Sequence, residues 1–154
     1  MIVIGIDPGP VKSALCGWDG EKPFDPQYSE NSYILSSLSR LCTLKSFSVL
    51  AIEKPVCQRY SGSSVSDTAI QAGVFKGAWT WGVVYLITRS KIRWHIGKVK
   101  KTNDSVVRKN LIDRIYPDYN LHHNPGPLIG IVEDTWQALA VAVTCFDLIE
   151  KGEI

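Results

Sequence analysis

The sequence predicts an α/β fold built on a mixed sheet. Two short apolar runs, at residues 1–7 and 47–53, read as buried strands, and each ends in an acid. The first is followed by returning segments, which implies an antiparallel meander. Beyond it, helical patterns alternate with strand-like ones, which implies parallel pairing through crossovers. The 154 residues suit one domain spanning 1–154 rather than two of average size.

Met1-Ile2-Val3-Ile4-Gly5-Ile6-Asp7 is β-branched and apolar, and Pro8-Gly9-Pro10 turns the chain directly after the carboxylate. Residues 13–20 read as the returning strand, and residues 23–28 as a weaker third. Residues 29–44 place Leu and Ile at helical spacing among small polar residues. The second buried run delivers Glu53 to its end, where Lys54-Pro55 forces the chain out of regular structure. A polar, glycine-containing loop over 60–64 leads to a helix predicted for 65–86. On that helix Ala69, Gly73 and Gly77 recur every four residues and permit another backbone to approach closely, either within this chain or in a second copy. Residues 91–96 alternate and predict a third parallel strand. A helix follows from Asn103 or Asp104, a natural N-cap, to Tyr116 before Pro117, and a last helix spans 133–150 after the Asn124-Pro125-Gly126-Pro127 loop.

Composition excludes several classes. Hydrophobic residues make up 45% and charged residues 21%, values of a packed protein rather than a disordered one. The longest uncharged apolar run, 77–88, falls short of the roughly 20 residues that span a bilayer, and no charged segment followed by an apolar run opens the sequence, so neither a membrane span nor a secretory precursor is expected. Cys16, Cys42, Cys57 and Cys145 are scattered without zinc spacing and read as reduced thiols of a cytosolic protein. The net charge of +2 conceals a local imbalance. Between Arg89 and Arg114, nine Lys and Arg face only Asp104 and Asp113, a net +7 that leaves −5 for the rest, and such a segment suits a polyanion.

Asp7 and Glu53 close hydrophobic strands at the end where ligands collect in open α/β sheets. If those strands are parallel neighbours about 4.8 Å apart, the two carboxylates can share a cation. Glu133 and Asp134 open the last helix, and Asp134 and Gln137, three apart, share one of its faces, while Leu139, Val143 and Phe146 form a face suited to burial against the sheet. Taken singly, an acid at a strand end is most often solvated, and acids at a helix N-terminus are favoured by the dipole alone. Taken together they repel one another unless a divalent cation neutralises them. Oxygen-only ligation favours Mg²⁺, with Mn²⁺ able to substitute, and two such ions suit phosphodiester hydrolysis by an activated water.

In order, Ile4-Gly5-Ile6-Asp7-Pro8-Gly9, Ala51-Ile52-Glu53-Lys54-Pro55, Trp94 with Lys98-Val99-Lys100-Lys101-Thr102-Asn103-Asp104-Ser105, a helix ending Ile115-Tyr116-Pro117, and Asp134-x-x-Gln137-Ala138-Leu139-Ala140 together resemble the RuvC family of Holliday junction resolvases, above all its compact phage versions. The match runs over nearly the whole chain. It implies a ribonuclease H-like fold with a mixed five-stranded sheet flanked by helices, a homodimer, Mg²⁺-dependent paired nicking of a four-way DNA junction, and catalytic acids at Asp7, Glu53 and Asp134. A bacterial cytoplasmic location, with a phage as one source, goes with it. One departure is plain: where the family usually carries a further acid before Ala-Leu-Ala, this chain has the neutral Gln137. Either Glu133 or Asp134 then supplies the charge, or metal binding and activity are weakened.

Lys98, Lys100 and Lys101, with Arg108 and Lys109 on the following helix, suit phosphate contacts near Trp94 and the acids. Arg59 and Tyr60 follow the Glu53 strand and suit a junction centre, Tyr60 by stacking on or wedging between bases. His122 and His123 read as surface residues, and Trp79 and Trp81 as core or dimer contacts. A C2 dimer would present two equivalent sites to two equivalent strands. The alternatives are an RNase H-like nuclease for other branched DNA or RNA, and a junction-binding protein without catalysis.

Overall fold

The computed structural model describes residues 1–41, 48–55, 63–80, 82–98 and 103–154. Five strands form one sheet: β1 (Ile2–Asp7), β2 (Lys12–Trp18), β3 (Pro23–Glu30), β4 (Ser48–Lys54) and β5 (Val84–Thr88), in the order β3-β2-β1-β4-β5. The β1–β2 and β2–β3 pairs are antiparallel, whereas β4 lies parallel to both β1 and β5. Helices α1 (Asn31–Leu41), α2 (Ser63–Ala78), α3 (Arg89–Gly97), α4 (Asp104–Ile115) and α5 (Thr135–Glu150) complete the chain. This is the mixed sheet flanked by helices that the sequence predicts.

Strand parity assigns the two cores. Ile4, Ile6, Leu15, Leu50 and Ile52 pack against Ile34 and Leu38 of α1 and Phe75 of α2. Val3, Ala14, Val49, Ala51 and Ile87 point to the opposite face, which α5 covers with α3 and α4. Along α5 every residue from Thr135 to Cys145 except Gln137 is buried, so this helix is the centre of the molecule. It can lie so close because β1 carries Gly5: a Cβ there would stand 2.1 Å from the carbonyl oxygen of Ala138. Cys16 and Cys145 are buried free thiols, and Cys42 and Cys57 fall outside the described residues. Among the described residues no helix is long and apolar enough to cross a membrane.

The structure corrects one part of the predicted order. The third parallel strand is Val84–Thr88, not 91–96, and α2 stops at Ala78 rather than continuing to 86. Trp79, buried in the α1/α2 core, and Gly82, whose Cβ would meet the Ser48 carbonyl oxygen at 2.4 Å, bring the chain back to the sheet edge. Segment 91–96 is helical because Thr88 caps it, its hydroxyl accepting from the Lys91 N–H at 3.3 Å, while Ile92 and Ile96, one turn apart, bury together. The last helix begins at Thr135, so Glu133 and Asp134 stand just before it. Among the described residues, nothing lies within 4 Å of a Cβ built on Gly73 or Gly77, so these two glycines have no packing partner within the described part of the chain, whereas Ala69 is half-buried. Trp79 is a core residue, and Trp81 lies outside the described residues.

Candidate active site

Parity places Asp7 and Glu53 on the sheet face that α5 covers, in line with Val3 and Gly5 on β1 and Val49 and Ala51 on β4. The register pairs Gly5 with Ala51 and Ile6 with Ile52, so one further step sets Asp7 beside Glu53, about 4.8 Å away in strand spacing. The turn after Asp7 is pinned from outside the strand. Gly9 N–H donates to Ser13 Oγ at 3.0 Å, Ser13 Oγ donates to Asn31 Oδ1 at 2.7 Å, and Asn31 Nδ2 donates to the Gly9 carbonyl at 3.1 Å. That network ties the end of β1 to β2 and to the start of α1.

Burial and like charge show in the titration of the pair. Asp7 is lifted to about 7, first by burial and next by the charge of Glu53; Asp134 and Asp104 push the same way, and Arg89 opposes them. Glu53, only 8% exposed, is raised by burial against the pull of Arg89. Arg89, at the start of α3, brings Nε to 2.8 Å from Glu53 Oε1, and its Nη1 lies 3.9 Å from Asp104 Oδ2. Asp104, at the start of α4, is held by Arg93, whose Nε and Nη2 donate to Oδ1 at 3.1 and 2.9 Å. Glu53 Oε2 is buried with no hydrogen-bond partner among the described residues.

Asp134 reaches the same region from the third side. It sits at the N-cap position of α5, where its side chain makes no capping hydrogen bond, and it is exposed. The preceding Glu133 adopts the left-handed region at φ 44, which turns the chain sharply. Thr135 clamps this turn: its buried hydroxyl donates to the Val132 carbonyl and accepts from the Val132 N–H at 2.7 Å. Tyr28 of β3 shares the neighbourhood, its phenol raised chiefly by the charge of Asp134 and further by Glu133 and Asp7. Gln137 lies half-buried in the first turn of α5.

Asp7 and Glu53 are thus brought side by side, and Asp134 acts on Asp7 through its charge. Among the described residues, however, no three acids, His or Cys gather closely enough to form a ready-made metal cage. The donor chemistry still fits a hard divalent cation. Two adjacent carboxylates, one with an orphaned buried oxygen, are hard oxygen ligands whose mutual repulsion such an ion would relieve.

The predicted DNA contacts divide. Arg59, Tyr60, Lys100 and Lys101 lie outside the described residues. Lys98 is exposed at the C-cap of α3. Because 89–97 is a helix, nine residues at about 1.5 Å rise separate it from the carboxylate end, so it does not adjoin the acids as the sequence suggested. Trp94 is 57% exposed on the same helix. Lys109 is exposed, and Arg108 lies over the Trp136 ring, 4.8 Å from its centroid, which gives it a packing role as well. His122 and His123 are exposed, as expected. The sequence reading missed Arg89, Arg93 and Tyr28 as neighbours of the acids, and took Asp104 only for a cap.

A cleft of about 650 Å³ lies at the far end of α3, α4 and α5, lined by His95, Lys98, Arg114, Asp147 and Lys151 among others. There Asp147 accepts from Arg114 at 2.5 and 2.8 Å and lies 2.8 Å from His95 Nε2. These groups satisfy one another across three helices, which is a structural clamp.

No family model and no curated protein matches this chain. Solved structures do. A structure described as Thermus thermophilus RuvC is similar with a TM-score of 0.70 and 17% identity, over 99% of this chain and 97% of that one. A second, T. thermophilus RuvC in complex with a Holliday junction substrate, gives a TM-score of 0.67 and 14% identity, over 99% and 96%. The fold is therefore the ribonuclease H-like fold of RuvC.

Proposed function

We propose that this protein is a divalent-cation-dependent endonuclease that resolves four-way DNA junctions. The observation that supports it most is the pairing of Asp7 with Glu53 on adjacent parallel strands, with Asp134 opposing them from α5, in a RuvC-like fold. Burial raises both strand acids, and mutual charge raises Asp7 further, a strain that a divalent cation shared between them would relieve. Mg²⁺, or Mn²⁺ in its place, in two positions, would neutralise the acids, make water a nucleophile at neutral pH and stabilise the departing oxygen.

The chain's own residues supply the rest. Asp7 and Glu53 hold and orient the cations from the sheet. Asp134 faces them from α5, with Glu133 and Gln137 beside it, and Gln137 contributes a neutral oxygen in place of a charge. Lys98, Lys100, Lys101, Arg108 and Lys109 bind phosphates, while Arg59 and Tyr60 enter the junction centre. The exposed face of α2, with Ile70 at 66% and Val74 at 43% beside Gly73 and Gly77, serves as the contact of a C2 homodimer whose two sites nick two strands symmetrically.

A second reading, junction binding without cleavage, draws on the neutral Gln137 and on the missing three-acid cage among the described residues. A substrate panel separates the readings: labelled four-way junction, three-way fork, linear duplex and RNA–DNA hybrid, each with Mg²⁺ or Mn²⁺. Paired nicks confined to the four-way junction support the proposal. Preferential cutting of the fork or the hybrid would indicate a related nuclease, and salt-sensitive binding without nicks the non-catalytic protein.

A further inference from the structure

The carboxylate centre already contains a cation, the guanidinium of Arg89. Its Nε stands 2.8 Å from Glu53 Oε1, yet the pair is incomplete. Neither the Arg89 Nε–H nor Glu53 Oε2, both buried, makes a well-aligned hydrogen bond among the described residues, although at this separation Arg89 still lowers Glu53 by its charge and by a bent hydrogen bond. An Arg–carboxylate pair normally closes as a two-pronged fork. Here one buried carboxylate oxygen stays open. Arg89 also has a second acidic neighbour, Asp104 at 3.9 Å, and its side chain is 40% exposed, so it has both a destination and room to move.

Arg93 provides the internal comparison. It carries the same charge on the same helix, binds Asp104 with two aligned donors, and acts on Glu53 through its charge more weakly than Arg89 does. One arginine is therefore locked to the start of α4, and the other leans into the acids.

We propose that Arg89 is the resident counter-ion of Glu53 and that a divalent cation displaces it, so that metal loading and movement of Arg89 toward Asp104 are a single exchange. The inference rests on the reading of Asp7 and Glu53 as cation ligands. It follows from charge and space: a guanidinium within 3 Å of a ligand oxygen and a divalent ion on that carboxylate repel each other at a distance where solvent screens little. Arg89 then weakens cation binding in the absence of DNA and holds the empty acids together against their own repulsion.

The test is calorimetric titration of Mn²⁺ into the full chain without DNA, for wild type, Arg89→Gln and Arg93→Gln, with circular dichroism confirming the fold of each. The exchange predicts that Arg89→Gln binds Mn²⁺ roughly five- to tenfold more tightly, and that Arg93→Gln changes affinity by less than about twofold. Equal tightening in both variants would reduce the effect to general charge and overturn the exchange. Unchanged or weaker binding in Arg89→Gln, with wild type still taking up Mn²⁺, would overturn it while leaving the metal reading intact. No uptake by any of the three proteins would overturn both. A second readout needs no variant: the side-chain Nε–H resonance of Arg89 should shift along a Mg²⁺ titration of wild type with the same midpoint as the binding isotherm, and a resonance that stays fixed while the site saturates contradicts the displacement.

Discussion

Asp7→Asn tests the electrostatics of the centre apart from any chemistry. In chelator, the Asp7 carboxyl titrates near 7 in the folded chain against an ordinary 3.8. A group with a raised folded value favours the folded state in its protonated form, so its contribution is full below about pH 4 and is lost as pH rises through 7. At about 1.36 kcal/mol per unit, wild type loses ~4 kcal/mol across that window, of which ~3 kcal/mol falls between pH 5 and pH 8. Asn has the same shape and does not titrate. The stability of Asp7→Asn relative to wild type should therefore rise by ~3 kcal/mol from pH 5 to pH 8, and a chain of this size translates that into roughly 5–10 °C in melting temperature. Urea unfolding with EDTA at both pH values measures it. Saturating Mn²⁺ should close most of that gap at pH 8, since at a hundredfold excess over Kd it adds ~2.7 kcal/mol to wild type and little to the variant. Parallel pH profiles for the two proteins would mean that Asp7 does not titrate with a raised value in the folded chain.

Gly5→Ala drives a methyl group into the backbone of α5 at Ala138 and Ala142, and should cost ~3 kcal/mol or more in urea unfolding; a loss below ~1 kcal/mol would mean the helix shifts freely. Asp147→Asn breaks the clamp among α3, α4 and α5. Burial opposes ionisation of Asp147, but bonds from Arg114 and His95 hold it well below the usual carboxylate range, so its contribution is present above about pH 4 and lost only in stronger acid. The variant should lose ~1–2 kcal/mol at pH 7, with the gap closing toward pH 2, and a gap independent of pH would refute this. Ile70→Asp on the open face of α2 should convert a dimer into a monomer by sedimentation, and an unaltered dimer would place the contact elsewhere.

The strand acids were legible because buried strands announce themselves by composition, and a carboxylate before Pro8 or Pro55 marks a strand end. Parity then fixed their shared face. The segment after α2 was not legible, because Ile92, Trp94 and Ile96 satisfy two periods at once. Their alternation fits a strand, and the four-residue step from Ile92 to Ile96 fits a helix; the Thr88 cap decides, through a hydrogen bond that spacing alone does not reveal. The same error hid Arg89. Read as a residue before a strand it has no site to join, but at the first turn of a helix directly after β5 it meets Glu53 across the sheet. Asp104 was readable as a helix-start acid, and its second use between Arg89 and Arg93 depends on how α3 and α4 pack. The α2 stripe showed its small residues in sequence, while the lack of a partner at Gly73 and Gly77 within the described residues needed the packed chain.

If Asp7 and Glu53 form a cation-dependent hydrolytic centre for branched DNA, as proposed, cleavage must depend on both metal and Asp7. Incubation of the protein with an end-labelled four-way junction in Mg²⁺, Mn²⁺ or chelator, with matched linear duplex and the Asp7→Asn protein alongside, tests this. Paired, symmetric nicks in the junction are expected, requiring metal and disappearing in Asp7→Asn although the variant still binds the junction. Cleavage that persists in chelator or in Asp7→Asn, or tight binding by wild type with no nick under either metal, would contradict the proposal.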